Sequence, residues 1–135
     1  MNTSRNSPTG PTTVKLLSVL RSHHISFVHA AEGIKTAVLS QPNFRVHLTL
    51  SFLAVSAAWY LHLSQVEWAI ILYVIATGLA IELLNTSIEY TVDLMTDEYH
   101  ILAKFAKDTA AGAMLVYAVF SVIIAGIIFL PKLFL

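Results

Sequence analysis

The chain has 135 residues, of which 56% are hydrophobic and 12% charged, where an average soluble domain carries roughly 25% charged residues. A single soluble domain of this size has no interior large enough for that much apolar surface, so lipid is expected to be part of its solvent. A net charge of zero offers no basic stripe for nucleic acid, and without cysteine there is neither a disulfide framework nor a thiolate metal site.

Residues 1–13, MNTSRNSPTGPTT, are polar and rich in Ser, Thr and Pro. No apolar segment follows the basic start as a secretory signal requires, so the stretch is expected to be a disordered tail ahead of one membrane domain, residues 14–135. Residues 14–41 place Leu16, Leu17, Leu20, Phe27, Ala31, Ile34 and Val38 at roughly helical spacing, with Lys15, Arg21, Glu32 and Lys35 largely off that stripe. This predicts one or two amphipathic helices, lying on the membrane surface or packed on protein, with Gly33 and the Gln41-Pro42 pair as candidate breaks.

Three membrane spans are expected next, giving an all-α membrane protein. Residues 46–66 contain no Lys, Arg, Asp or Glu, enough to cross about 30 Å of hydrocarbon. Residues 110–130 are equally free of charge. The middle segment, about 66–95, is uncharged only over 68–81 before Glu82 interrupts it. Flanked by two spans and a short connection, it has to return through the bilayer and then run on past the surface. Arg5, Lys15, Arg21, Lys35 and Arg45 precede the first span, Lys104 and Lys107 lie between the second and third, and the first connection has none. The excess of Lys and Arg predicts that the N-terminus and the second connection, read as a loop over 97–108, are cytoplasmic and the C-terminus external.

Glu82, Asn85, Glu89 and Asp93 follow one another by three, four and four residues. At about 100° per residue they occupy one helical stripe about 80° wide. A carboxylate inside a membrane span costs roughly 2.5–3.5 kcal/mol at the helix centre and is a functional candidate by default; a boundary glutamate that snorkels to water is the simpler alternative. Stacked carboxylates repel unless a cation or proton lies among them, and oxygen ligands suit a hard ion such as Mg²⁺ alongside substrate phosphates. Lys104 and Lys107, just beyond the stripe, are suited to phosphate, or are simply solvated loop lysines. The six histidines are scattered, and His47 and His62 flank the first span, where polar rings are ordinary. No glycine-rich phosphate loop is present.

Glu82-Leu-Leu-Asn85-Thr-Ser-Ile-Glu89, then Asp93, then Glu98-Tyr99-His100, then Ala106-Lys107-Asp108, resembles the prokaryotic diacylglycerol kinase family, which includes the undecaprenol kinases of Gram-positive bacteria. The resemblance runs from about Phe27 to the end of the third span, and Asn43-Phe44-Arg45-Val46-His47 is similar to the Gram-positive branch. It implies a homotrimeric lipid kinase of the bacterial cytoplasmic (inner) membrane that moves the γ-phosphate of ATP to diacylglycerol or undecaprenol at the cytoplasmic interface. By motif position, Glu82 would be the general base with Asn85 supporting it. Glu89 would hold Mg²⁺ against the nucleotide phosphates. Glu98, Tyr99, His100, Lys107 and Asp108 would line the ATP site. Two positions depart from the family pattern. Gln41 stands where a second metal-binding glutamate is common, and His29 where a nucleotide-contacting tyrosine is found; both are carried as candidate ATP-site residues, Gln41 also as a metal ligand. Phosphoryl transfer is mainly positioning and charge neutralisation, and ATP and a lipid hydroxyl can meet only at the inner interface, where Glu82 is expected. A small ion- or proton-coupled carrier using Glu82, and an inactive assembly protein of the same fold, are the competing readings.

Overall fold

The computed structural model describes residues 11–134, with side chains from residue 26 onward; the first ten residues of the expected disordered tail lie outside the described residues. Four helices follow in order: α1 (Pro11–Ser40), α2 (Pro42–Tyr60), α3 (Gln65–Met95) and α4 (Ile101–Phe134). No strand occurs among the described residues. The described residues divide into two compact units, with the boundary between Thr36 and Ala37.

In the first unit α1 runs unbroken through Gly33. A glycine weakens a helix by under about 1 kcal/mol without ending it. His29 Nδ1 pairs with Glu32 at 3.2 Å and the Thr36 hydroxyl donates to the Glu32 carbonyl at 2.9 Å.

The second unit begins with the last turn of α1, and the corner after it comes at Gln41. Its backbone is extended, φ −104° and ψ 110°, as expected for a residue before proline. Pro42 then opens α2, where its missing N–H is no loss.

The apolar run 46–66, expected as one span, is divided in the structure: α2 stops at Tyr60 and α3 starts at Gln65. The stop is a Schellman turn. His62 takes a left-handed φ of 51°, its N–H donates to the Trp59 carbonyl at 3.3 Å, and the Leu63 N–H donates to Ala58 at 3.1 Å. Leu63 folds back onto Ala58 in the buried cluster with Ile71 and Ile128. Ser64 then caps α3 in a reciprocal box with Glu67, which no hydropathy pattern announces.

α3 has 31 residues and α4 has 34, so at 1.5 Å per residue each exceeds the roughly 30 Å of a hydrocarbon core by several turns. Both are long and apolar enough to cross a membrane. α2, with 19 residues, does not meet the same standard, because Asn43, Arg45 and His47 occupy its first turns. The connection expected as a loop over 97–108 is non-helical only from 96 to 100. Ile101 to Lys107 are mostly good helix formers, and the Lys104–Asp108 ion pair at i,i+4 adds support.

α3 is central and packs against both α2 and α4. Near the 61–64 turn, Trp68, Ile75, Ile124 and Phe129 cover the buried cluster, and Lys132 reaches Glu67 at 3.3 Å. Midway, Tyr117 of α4 lies over Gly78, where an added Cβ would stand 2.6 Å from the ring, and its hydroxyl donates to the Val74 carbonyl. No large side chain is fully buried among the described residues, while Phe52, Phe120 and Ile127 are exposed. Protein interior therefore does not supply the solvent for these apolar surfaces; a bilayer does.

Candidate active site

The buried face of α3 comprises Ile71, Gly78, Glu82, Asn85 and Thr86. Apolar in its first half, it turns polar over its last three residues. Glu82 is 2% exposed, so the charged stripe faces the protein rather than the acyl chains. Leu84, on the opposite side, is 64% exposed. An isolated carboxylate this buried is expensive.

One turn on, the Asn85 amide donates to Glu89 Oε1 at 3.1 Å. This bond orients both side chains and leaves the second Glu89 oxygen and the amide oxygen of Asn85 to other partners. The latter has none among the described residues. Glu89 is half-buried and Asp93 exposed, so the stripe runs from the interior to water within three turns.

Beyond it, where α3 gives way to α4, a cavity of about 540 Å³ is lined by Asp93, Thr96, Asp97, Glu98, Tyr99, His100, Lys104, Lys107 and Asp108, among others. Five residues expected at an ATP site, Glu98, Tyr99, His100, Lys107 and Asp108, thus come together. Lys107 is ion-paired with Asp93 across the turn, and Lys104 with Asp108. Both pairs are substantially exposed, so each contributes at most about 1 kcal/mol and is readily exchanged for a phosphate oxygen. The Thr96 hydroxyl accepts from the Glu98 N–H at 3.1 Å, and the His100 ring accepts from the Leu102 N–H at 3.2 Å. These bonds give the short connection a defined shape.

Glu89 stands one turn before Asp93 and does not line this cavity. Gln41 occupies the corner before α2 and is half-buried. His29 belongs to the N-terminal unit, where it pairs with Glu32. No group of three or more His, Cys, Asp or Glu side chains is arranged to hold a metal among the described residues. The donors fit Mg²⁺ nonetheless. It typically takes one or two carboxylates and leaves its other positions to water and phosphate, and Glu89 with the unpartnered Asn85 amide oxygen supplies hard oxygen ligands only.

A second cavity of about 290 Å³, almost wholly apolar, runs between α2, α3 and α4 past Leu50, Ala54, Ile75, Gly78, Tyr117 and Val122. Its Ser51 and Ser121 hydroxyls are bonded to their own helix backbones at 2.7 and 2.8 Å. His47 and Leu79 also line it, and Leu79 is one turn from Glu82.

Three of these features escaped sequence reasoning. From the sequence His47 reads as an interfacial ring, whereas it lines the apolar cavity. Asp93 was placed on the stripe without its tie to Lys107, which needs the α3–α4 turn. Thr86 carries no sequence signal, since a helical threonine ordinarily satisfies its own hydroxyl.

A profile of the family described as prokaryotic diacylglycerol kinase matches residues 28–129. The chain is 49% identical over 108 residues to the undecaprenol kinase of Bacillus subtilis (strain 168), covering 80% of this chain and 88% of that protein. It is 41% identical over 110 residues to a diacylglycerol kinase of Synechocystis sp., covering 81% of this chain and 63% of that one. A Helicobacter pylori diacylglycerol kinase is 34% identical over 98 residues, 73% of this chain and 77% of its own.

Proposed function

The chain belongs to the prokaryotic diacylglycerol kinase family, and from that premise we propose that it transfers the γ-phosphate of ATP to a membrane lipid alcohol at the cytoplasmic face of a bacterial inner membrane. The observation that carries this reading is the course of α3. One helix leads from a protein-facing, buried carboxylate at Glu82 to an open charged cavity beyond Asp93. An apolar alcohol and a polar nucleotide need two such environments within a few turns of each other. A carrier or an inactive assembly protein does not call for the second.

In the reaction, the acceptor hydroxyl gives its proton to the Glu82 carboxylate as its oxygen forms a bond to the γ-phosphorus. The bond from that phosphorus to the bridging oxygen breaks, and ADP leaves with the electron pair. Asn85 holds Glu89 through the 3.1 Å amide bond. Glu89 and the free Asn85 amide oxygen, with Gln41 by motif position, would hold Mg²⁺, which when bound neutralises charge on the nucleotide phosphates. Lys107 leaves Asp93 for phosphate, a local exchange at an exposed ion pair. Glu98, Tyr99, His100 and Asp108 surround the rest of the nucleotide. The apolar cavity takes the lipid chain beside Glu82.

α2 serves as a third span. Its 19 residues measure about 28 Å, close to a hydrocarbon thickness, and the excess of Lys and Arg before it supports a cytoplasmic start. A homotrimer follows from the family resemblance. The 49% identical relative named undecaprenol kinase favours a polyprenol acceptor over diacylglycerol.

The test is a detergent assay with labelled ATP, offering undecaprenol and diacylglycerol separately. Glu82→Gln should abolish transfer while the protein still assembles; full activity in that variant would remove Glu82 from its role.

A further inference from the structure

Helical serines and threonines commonly donate their hydroxyl hydrogen to the carbonyl one turn back. Thr49, Ser51, Ser56 and Thr91 do so here, at 2.9, 2.7, 2.8 and 2.8 Å. Thr86 departs from them. It is 5% exposed, and its hydroxyl has no hydrogen-bond partner among the described residues. The carbonyl it would ordinarily use is that of Glu82. Its neighbour Asn85, 6% exposed, carries an unpartnered Oδ1. Among the described residues these are the only two buried side-chain polar atoms without a partner, and both lie within about one turn of Glu82.

A hydroxyl buried without a partner is destabilising, and valine would fill the same volume without that cost. Residues four apart share a helix face. Thr86 follows Glu82 by four residues, so its hydroxyl is on the side of α3 from which a group would approach that carboxylate.

We propose that Thr86 is a further substrate-contacting residue, whose hydroxyl donates a hydrogen bond to the oxygen of the acceptor alcohol while that alcohol's own hydrogen points at Glu82. This rests on the kinase reading and deepens it. An alcohol oxygen has one hydrogen and two lone pairs. The hydrogen goes to Glu82, one lone pair forms the bond to phosphorus, and the other accepts from Thr86. Two fixed contacts leave the attacking lone pair one direction. Thr86 moves no proton; it holds the nucleophile by its idle lone pair. The class of ligand is therefore a terminal alcohol, which both receives a hydrogen bond and gives one.

The experiment compares Thr86→Val, which keeps the shape and removes the hydroxyl, with Thr86→Ser, which keeps the hydroxyl. Each full-length protein is assayed in mixed micelles with undecaprenol or diacylglycerol as acceptor, and its thermal midpoint is measured. Thr86→Val should raise the KM for the lipid about tenfold, as loss of one well-placed hydrogen bond would, with the KM for ATP unchanged and the midpoint equal to or above wild type. Thr86→Ser should restore the lipid KM. A valine variant with unchanged lipid KM, or one in which both KM values rise together and serine gives no rescue, would overturn the proposal. If wild type phosphorylates neither lipid, the kinase reading falls and takes this contact with it; if wild type is active and the valine variant matches it, only the contact falls.

Discussion

Gly78→Ala tests the crossing of α3 and α4 that sets the depth of Glu82. A Cβ built on Gly78 lies 2.6 Å from Tyr117 Cε1, 2.8 Å from its hydroxyl oxygen and 2.9 Å from Cζ. Carbon atoms are at their best separation at about 3.5–4.0 Å, so ring or helix has to give by roughly 1 Å. Tyr117 is no freely moving chain end, because its hydroxyl is bonded to the Val74 carbonyl within the same crossing. Overpacking of this kind costs about 1–3 kcal/mol, losing the tyrosine bond adds about 0.5–1.5 kcal/mol, and the better helix propensity of alanine returns about 0.5–1 kcal/mol, for a net loss of roughly 0.5–4 kcal/mol. Unfolding in mixed detergent micelles, followed by the fluorescence of Trp59 and Trp68, reads this directly. Gly112→Ala is the control: a Cβ there meets nothing within 4 Å, and replacing a helical glycine by alanine stabilises by about 0.5–1 kcal/mol. The two variants should move in opposite directions, and turnover should fall with Gly78→Ala, since Glu82 is the next turn of the same face. Pairing Gly78→Ala with Tyr117→Leu should recover part of the loss. If Gly78→Ala unfolds at the wild-type midpoint, the close approach does not exist in the folded protein.

Lys107→Met should raise the KM for ATP about tenfold, as loss of one charge-assisted contact to phosphate would, while the KM for the lipid stays put; a selective effect on the lipid would misplace the nucleotide. Gln41→Glu should leave turnover intact and shift the Mg²⁺ dependence to lower concentration, because a carboxylate binds the ion better than an amide does. A clear loss of turnover there would show that the corner before α2 does not approach the metal. Tyr90→Phe removes the 2.6 Å bond to Ser40 and should lower stability by about 1 kcal/mol; an unchanged unfolding midpoint would mean that this bond does not hold the end of α1 to α3.

Helix content and the polar stripe are local properties, and they were legible in the residues. The spacing of Glu82, Asn85, Glu89 and Asp93 alone puts them on one side of a helix, and α3 ends at Met95, near the end expected for it. The Gln41-Pro42 break follows from the stereochemistry of the residue before proline. The end of α2 was not legible. Composition stays apolar to Val66, and the stop at Tyr60 depends on a non-glycine residue accepting a left-handed φ because Leu63 gains a buried place against Ala58. The helical start of α4 was missed for a related reason, since charged residues between two apolar runs look like a loop whether or not they are wound.

By itself, then, the sequence determined that this chain is helical, that lipid is its solvent, and which side chains share one edge of its central helix, because each follows from composition or from the angle between successive residues. Only the tertiary structure decided that this edge faces the protein, that Lys107 meets Asp93, that Tyr117 rests on Gly78, and that Thr86 is buried with its hydroxyl unmatched. Those outcomes depend on which helices lie beside α3 and how closely they approach, and such contacts between distant residues leave no trace in the order of the residues along the chain.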